Sequence, residues 1–363
     1  MDIANLIENV DTQIIRIRTK SLDVSFNELY DMYVNEELKI APDYQRLFRW
    51  EEEKQSRFVE SLILEMPVPP IFVIETDDGI YELIDGLQRI SSYLHFRGEQ
   101  IGDSPSEALR LYGCDIVPEL NGLTFDSLPK ALQIKIKRSF VRMEVIKKES
   151  EPTLKYHMFK RLNTGGEMLS DQEIRNCTIR LLGSEHIEFL NECCNDENFQ
   201  RTISRVPREK ISARYDQELV LRFLAIKNDI GNYRYPVTEY LTQYLERITT
   251  HNVEFDIDTE RRIFQETFRF IAEQYDNTAF SGVTAQGTSK NEFILYLFDG
   301  ITVSIASMID RINGSDAKEA IKQCIEAIKH GSELQLYKTG SVNGVKTRIR
   351  LFTEGVQKVL DSK

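Results

Sequence analysis

Residues 71–98 read IFVIETDDGIYELIDGLQRISSYLHFRG, and this stretch decides the fold. Ile71 to Glu75 is a β-branched apolar run. Asp77, Asp78 and Gly79 supply a turn, and Ile80 to Ile84 returns as a second run, which predicts a β-hairpin. Directly after it comes Asp85-Gly86-Leu87-Gln88-Arg89, then an amphipathic helix to Phe96, with Gly98 where a helix C-terminus wants it. At such a strand-to-helix turn the helix start offers N–H groups and positive dipole character to an anion. Gly86 allows an unusual backbone angle or a close ligand approach. Arg89 can clamp a phosphate with a bidentate fork, Gln88 can orient a water, and Asp85 can hold Mg²⁺ or accept a ribose hydroxyl. The same five residues also suit an ordinary turn, with Asp85 as N-cap and Arg89 in a surface ion pair. The residues alone leave both readings open.

Working outward, Glu51 to Met66 reads as a helix with an acidic first turn and an apolar stripe of Phe58, Val59, Leu62 and Ile63; Pro67, Pro69 and Pro70 end it. Upstream lies Pro42-Asp43-Tyr44-Gln45-Arg46, with Trp50 nearby. Arg46 is a second anion-ligand candidate and Tyr44 can stack on a base; the aromatics can equally staple this loop to the core. Downstream, Leu128 to Lys137 reads as helix, Val141 to Ile146 as strand and Thr153 to Leu162 as helix, broken by Asn163-Thr164-Gly165-Gly166. A Thr-Gly-Gly turn can form an N–H nest for phosphate or simply join two helices. It is not a P-loop, because the G-K-[ST] ending is missing. Ser170-Asp171-Gln172-Glu173 is a capping box that starts the next helix.

Beyond residue 180 the strand signal fades. Leu219 to Ile226, Val237 to Ile248, Arg261 to Gln274, Glu292 to Ile309 and Ala317 to Ile328 carry helical periodicity. The expectation is therefore an α+β domain over residues 1–180 followed by an all-α helical domain over 181–363.

With 46 basic and 58 acidic side chains, the 363-residue chain carries a net charge of -12, which argues against coating nucleic acid by overall charge. Local basic groups remain: Lys130, Lys135, Lys137, Arg138, Arg142, Lys147 and Lys148; Arg201, Arg205, Arg208, Lys210 and Arg214; and Lys338, Lys346, Arg348 and Arg350. Each can line a groove for a DNA backbone or be a solvated face. Five cysteines, including adjacent Cys193 and Cys194 and none in C-x-x-C spacing, point to buried thiols in a reducing cytoplasm. The five dispersed histidines give zinc chemistry no support. No run approaches a membrane span, and the start, MDIANLIENVDTQ, lacks the pattern of a signal peptide.

Taken in order, P-x-Y-Q-R, S-L-I-L-x-M-P-V-P-P-I, D-G-L-Q-R and F-K-R-L-N-T-G-G with L-S-x-x-E-I-R-N form a pattern that resembles domain-of-unknown-function family 262, of the ParB/sulfiredoxin-like superfamily. That family includes the N-terminal part of GmrSD-type modification-dependent restriction enzymes. The matching blocks span Ile40 to Asn176. The resemblance implies a ParB-like N-terminal domain that binds, and often hydrolyses, a nucleoside triphosphate of unspecified base with Mg²⁺. It implies Asp85, Gln88 and Arg89 as catalytic residues, with Asp85 also on the metal. It implies nucleotide binding by Tyr44, Gln45, Arg46, Gly86, Arg161, Asn163, Thr164, Gly165 and Gly166. Such proteins serve prokaryotic DNA restriction or phage defence. This sequence departs from the family's D-G-Q-Q-R at Leu87, so a non-catalytic, nucleotide-sensing module is the alternative to an NTPase. No His/Asn/His nuclease block follows, so DNA cutting is expected from a partner nuclease or from direct nicking by the ParB-like domain. DNA, a partner nuclease or a second copy of the chain are the expected partners, with no membrane.

Overall fold

The computed structural model describes residues 18–40, 48, 50–76, 79–101, 107–147, 150, 158, 170–180, 182–282 and 289–362. The chain divides into two compact units, 1–168 and 169–363.

The first unit is built on a five-stranded mixed sheet. Its elements are β1 (Thr19–Ser25), α1 (Phe26–Val34), β2 (Leu38–Lys39), α2 (Glu52–Ile63), β3 (Ile71–Glu75), β4 (Tyr81–Asp85), α3 (Leu87–Phe96), α4 (Lys130–Arg138) and β5 (Phe140–Ile146). The strand order is β1-β5-β3-β4-β2. The hairpin expected from residues 71–84 is the β3–β4 pair, antiparallel with Val73 opposite Leu83. β5 runs parallel to β3 and antiparallel to β1. β5 alternates in the period of a half-buried strand: Val141, Met143 and Val145 are buried, while Arg142 faces out and pairs with Asp23 across β1 at 3.0 Å. Val59, Leu62 and Ile63 of α2 are buried in the core of this unit.

α2 also buries Glu60, a carboxylate the apolar stripe does not foreshadow. Its Oε1 accepts the backbone N–H groups of Ile116 and Val117 at 3.1 and 2.7 Å. That satisfies a group that would otherwise be costly to bury.

The second unit holds only helices among its described elements: α5 (Asp171–Ile179), α6 (Glu185–Cys194), α7 (Glu197–Thr202), α8 (Arg208–Ser212), α9 (Tyr215–Asp229), α10 (Val237–Thr249), α11 (Ile257–Tyr275), α12 (Leu295–Ala306), α13 (Ile309–Asn313), α14 (Lys318–His330), α15 (Ser332–Gln335) and α16 (Val342–Asp361). The capping box at Ser170 is formed, with Ser170 and Glu173 each bonding the other's backbone N–H. α5 was expected in the first domain, but it packs on α9 and α10 of the second unit, and the division falls at 168/169. The core of this unit is an aromatic cluster of Phe199, Phe223, Phe264, Phe268 and Phe298. Beside it Asp299 is buried between Arg222 and Arg348, whose guanidinium groups donate to it at 2.7 and 2.6 Å.

No helix among the described residues is long and apolar enough to cross a membrane.

Candidate functional site

The Asp85-Gly86-Leu87-Gln88-Arg89 segment forms the junction of β4 and α3. Gly86, not Asp85, is the N-cap residue; it sits at φ 100, ψ 11 and no side chain caps the helix. The expected capping role of Asp85 is thereby corrected: its carboxylate turns to Arg89 instead. Gly86 is required here twice over. Its φ lies where a side chain is strained, and a Cβ would stand 2.5 Å from Cγ2 of Ile71, a fully buried core residue.

Arg89 Nη2 donates to Asp85 Oδ2 at 2.9 Å, an i,i+4 pair across the first turn of α3. The pair is partly sheltered: the Arg89 side chain is 14% exposed and that of Asp85 32%. The same guanidinium donates to the carbonyl oxygens of Pro69 and Pro70 at 3.2 and 3.3 Å. Arg89 therefore binds the proline-rich loop between α2 and β3 to the motif. The arrangement combines both readings of the sequence. An ion pair exists, yet it stands beside an uncapped helix start, with a carboxylate and a guanidinium both reachable from solvent.

Gln88 has a tie that the sequence did not show. Its Oε1 accepts the backbone N–H of Trp50 at 3.1 Å. Trp50 O in turn accepts from Gln55 Nε2 at 2.6 Å, and Gln55 Oε1 meets Nδ1 of buried His95 at 2.8 Å. His95 Nε2 meets Glu107 O at 2.9 Å. A polar chain thus runs from the motif through α2 and α3 to residue 107. Its trace in the sequence is Gln55, which with Ser56 and Glu60 places polar residues on the buried face of α2 beside Val59, Leu62 and Ile63. Trp50 packs edge-on against Phe58, with Lys54 Nζ 4.9 Å above its ring. Trp50 itself thus packs on α2, while Pro42 to Arg46, the loop it was expected to staple, lie outside the described residues. Leu87 is buried at 4% exposure, so the side chain at the departed glutamine position joins the core.

The remaining expected nucleotide ligands, Tyr44, Gln45, Arg46, Arg161, Asn163, Thr164, Gly165 and Gly166, lie outside the described residues. Of the site residues, the structure brings Asp85, Gly86, Gln88 and Arg89 together. The downstream Glu-Ile-Arg-Asn block is structural in its described side chains. Arg175 is buried and donates to Gln172, Glu218, Thr242 and the Thr238 carbonyl, fastening α5 to α9 and α10.

The basic groups separate into different roles. Arg348 is a core residue bound to Asp299, so the third group is not a continuous surface. Arg205 is bonded to Ser281 and Ser289 at 2.8 and 2.7 Å, and Arg201 is paired with Asp276. The first group keeps Lys135, Arg138 and Arg142 on one concave surface. Cys193 and Cys194 are buried, and burial pushes both thiols well up, which makes them poor nucleophiles. Among the described residues no cluster of three or more His, Cys, Asp or Glu side chains could hold a metal. A single carboxylate such as Asp85 fits Mg²⁺ only where nucleotide phosphates and water complete the shell.

Residues 26–180 match the family model described as the GmrSD restriction endonuclease, N-terminal domain. This segment is similar to that domain; it contains the whole β4–α3 junction and ends just after α5. No curated protein and no solved structure matches the chain.

Proposed function

We propose that this protein is a nucleoside-triphosphate-binding component of a DNA restriction or phage-defence system, with the β4–α3 junction as its phosphate site. The observation that carries the reading is the Asp85–Gly86–Arg89 arrangement inside a segment similar to a restriction-endonuclease domain. The uncapped first turn of α3 supplies N–H donors and dipole charge to phosphate oxygens. Arg89 exchanges the Pro69 and Pro70 carbonyls for phosphate, a stronger, charge-assisted partner. Asp85, released from Arg89, holds Mg²⁺ together with the phosphates. Hydrolysis would stabilise charge on the transferring phosphate through the same donors.

A second reading, a switch that binds nucleotide without turnover, is favoured by one observation. The Gln88 carbonyl is bonded to Trp50, and Leu87 is buried, so neither is poised to orient an attacking water. Calorimetric titration of ATP, GTP, CTP and UTP with Mg²⁺ into wild type and Arg89→Ala tests binding. At least one nucleotide should bind the wild type and lose roughly tenfold or more in the variant, about 1.4 kcal/mol or more. Equal affinities in a variant that stays folded would remove the site. Phosphate release then separates the hydrolase from the switch. Conversion of supercoiled plasmid to open circles, lost in Asp85→Ala, would add direct nicking.

A further inference from the structure

The first unit carries a concave groove of about 720 Å³ that the nucleotide reading does not use. It lies between the end of α2 with the proline-rich loop after it, α4, the start of β5 and Asp23 of β1. Two features of its wall are unusual for a surface. Met66, Ile134 and Phe140 are all large apolar side chains left exposed, and Phe140 is 67% accessible. Around them stand Lys135, Arg138 and Arg142. Three cations face two carboxylates here, since Lys135 lies 3.6 Å from Glu65 and Arg142 pairs with Asp23. Arg138 has no ion pair among the described residues. The groove is thus locally positive in a chain whose net charge is -12.

Phe140 is presented on a fixed backbone. Ser139, just before it, accepts the Phe26 N–H at 2.8 Å through its carbonyl, and its hydroxyl donates to Leu62 O at 2.8 Å. An aromatic ring carried on this fixed backbone and left bare beside guanidinium and ammonium groups has the composition of a stacking platform for an unpaired base, with cations for the flanking phosphates. An intact duplex hides the faces of its bases in the stack, so it can offer the cations its phosphates but has no exposed base for Phe140. An acidic peptide would meet the cations, and its apolar side chains would meet Met66 and Ile134, but it brings no base face to the Phe140 ring.

We propose that this groove binds a single-stranded or locally unpaired nucleic-acid segment, with a base on Phe140 and adjacent phosphates on Arg138, Lys135 and Arg142. This deepens the restriction reading, on which it rests for its biological sense, by assigning where the nucleic acid lies. The groove and the β4–α3 motif share a wall: Met66, Pro67 and Val68 line the groove, while Pro69 and Pro70 are the residues Arg89 holds.

The test is fluorescence anisotropy of the full chain with a labelled 20-nucleotide single strand, its duplex and an acidic-apolar peptide of similar charge, at several salt concentrations. The single strand should bind more tightly than the duplex and weaken with salt. Phe140→Ala should lose roughly five- to 150-fold, the range for one base stacked on an aromatic side chain. Arg138→Glu should weaken binding and flatten the salt dependence. Both residues are exposed, so both variants should keep the wild-type circular dichroism spectrum. Single-strand binding unchanged in both variants, duplex preferred over single strand, or the peptide bound in preference to the oligonucleotide each overturns the proposal. Nucleotide titration of the same proteins keeps the two claims apart. Lost oligonucleotide binding with Arg89-dependent nucleotide binding retained defeats only the groove. Phe140-dependent oligonucleotide binding without any nucleotide binding defeats only the phosphate site.

Discussion

Gly86→Ala is the most direct probe of the β4–α3 junction, because two separate physical terms meet there. The first is conformational: at φ 100 an alanine pays the left-handed penalty, about 1–2 kcal/mol. The second is steric. The added methyl would lie 2.5 Å from Ile71 Cγ2 and 3.0 Å from Ile71 Cβ. Ile71 is fully buried at the start of β3, so it cannot swing away without moving the sheet. Forcing a methyl into a packed core costs about 1–3 kcal/mol. The sum is about 2–5 kcal/mol, a large part of the roughly 5–15 kcal/mol that holds a domain folded. Gly79→Ala is the internal control. Gly79 also has a positive φ, 73, but nothing lies within 4 Å of its Cβ position, so only the conformational term applies. Thermal unfolding followed by circular dichroism, with urea titration for free energies, should show the first unit of Gly86→Ala melting roughly 4–20 °C lower, at about 2–4 °C per kcal/mol for a unit of this size. Gly79→Ala should lose only the smaller share. If the two variants were equally stable, the Ile71 contact would carry no weight and the account of this junction would fail.

Three further predictions follow from burial and charge. In the second unit, burial alone would push the Asp299 carboxyl up, but the Arg222 and Arg348 guanidinium groups beside it more than reverse this and hold it low. Its stabilising effect is therefore complete above the unfolded carboxyl value of about 3.9 and drains away as the pH falls below it; Asp299→Asn should cost about 3–5 kcal/mol at pH 7 and flatten that acid dependence in urea titrations from pH 7 to 2. Arg175→Met should destabilise the second unit by a few kcal/mol through its four lost partners, and calorimetry should find nucleotide affinity unchanged, although Arg175 lies in a sequence block that resembles the family. Thiol alkylation read by peptide mass spectrometry at pH 8 should modify half-buried Cys324 before Cys193, Cys194 and Cys114, since burial pushes the Cys114 thiol up to about 11 and the other two higher still; early labelling of Cys193 or Cys194 in folded protein would contradict their burial.

The hairpin of β3 and β4, the glycine turn and the helix after it were readable from local signals alone. Apolar β-branched runs and a capping box each act over fewer than ten residues, and each formed where the pattern put it, while Asp77 and Asp78 of the expected turn lie outside the described residues. The third dimension decided partnership. Arg89 and Asp85 are close in sequence, and their pairing was legible as an option; the Pro69 and Pro70 carbonyls that complete the guanidinium shell are about twenty residues away. Gln88 reads as a water-orienting residue until Trp50, 38 positions upstream, is seen to donate to it. Arg348 reads as part of a basic surface until Asp299 is placed against it, and Arg175 as part of a motif until four partners enclose it.

What the sequence by itself determined is the mixed α+β character of the first part, the helical character of the second and the strand–glycine–helix junction at residues 85–89. Periodicity, turn chemistry and capping are local properties, and local sequence suffices for them. What only the tertiary structure decided is which charges are available. A charged side chain on the chain is equally a ligand, a surface group or a core ion pair, and the choice depends on groups that sequence separation hides. Folding removed Arg175, Arg222 and Arg348 from solvent, held Arg89 between Asp85 and two carbonyls, and left Arg138 beside the bare ring of Phe140.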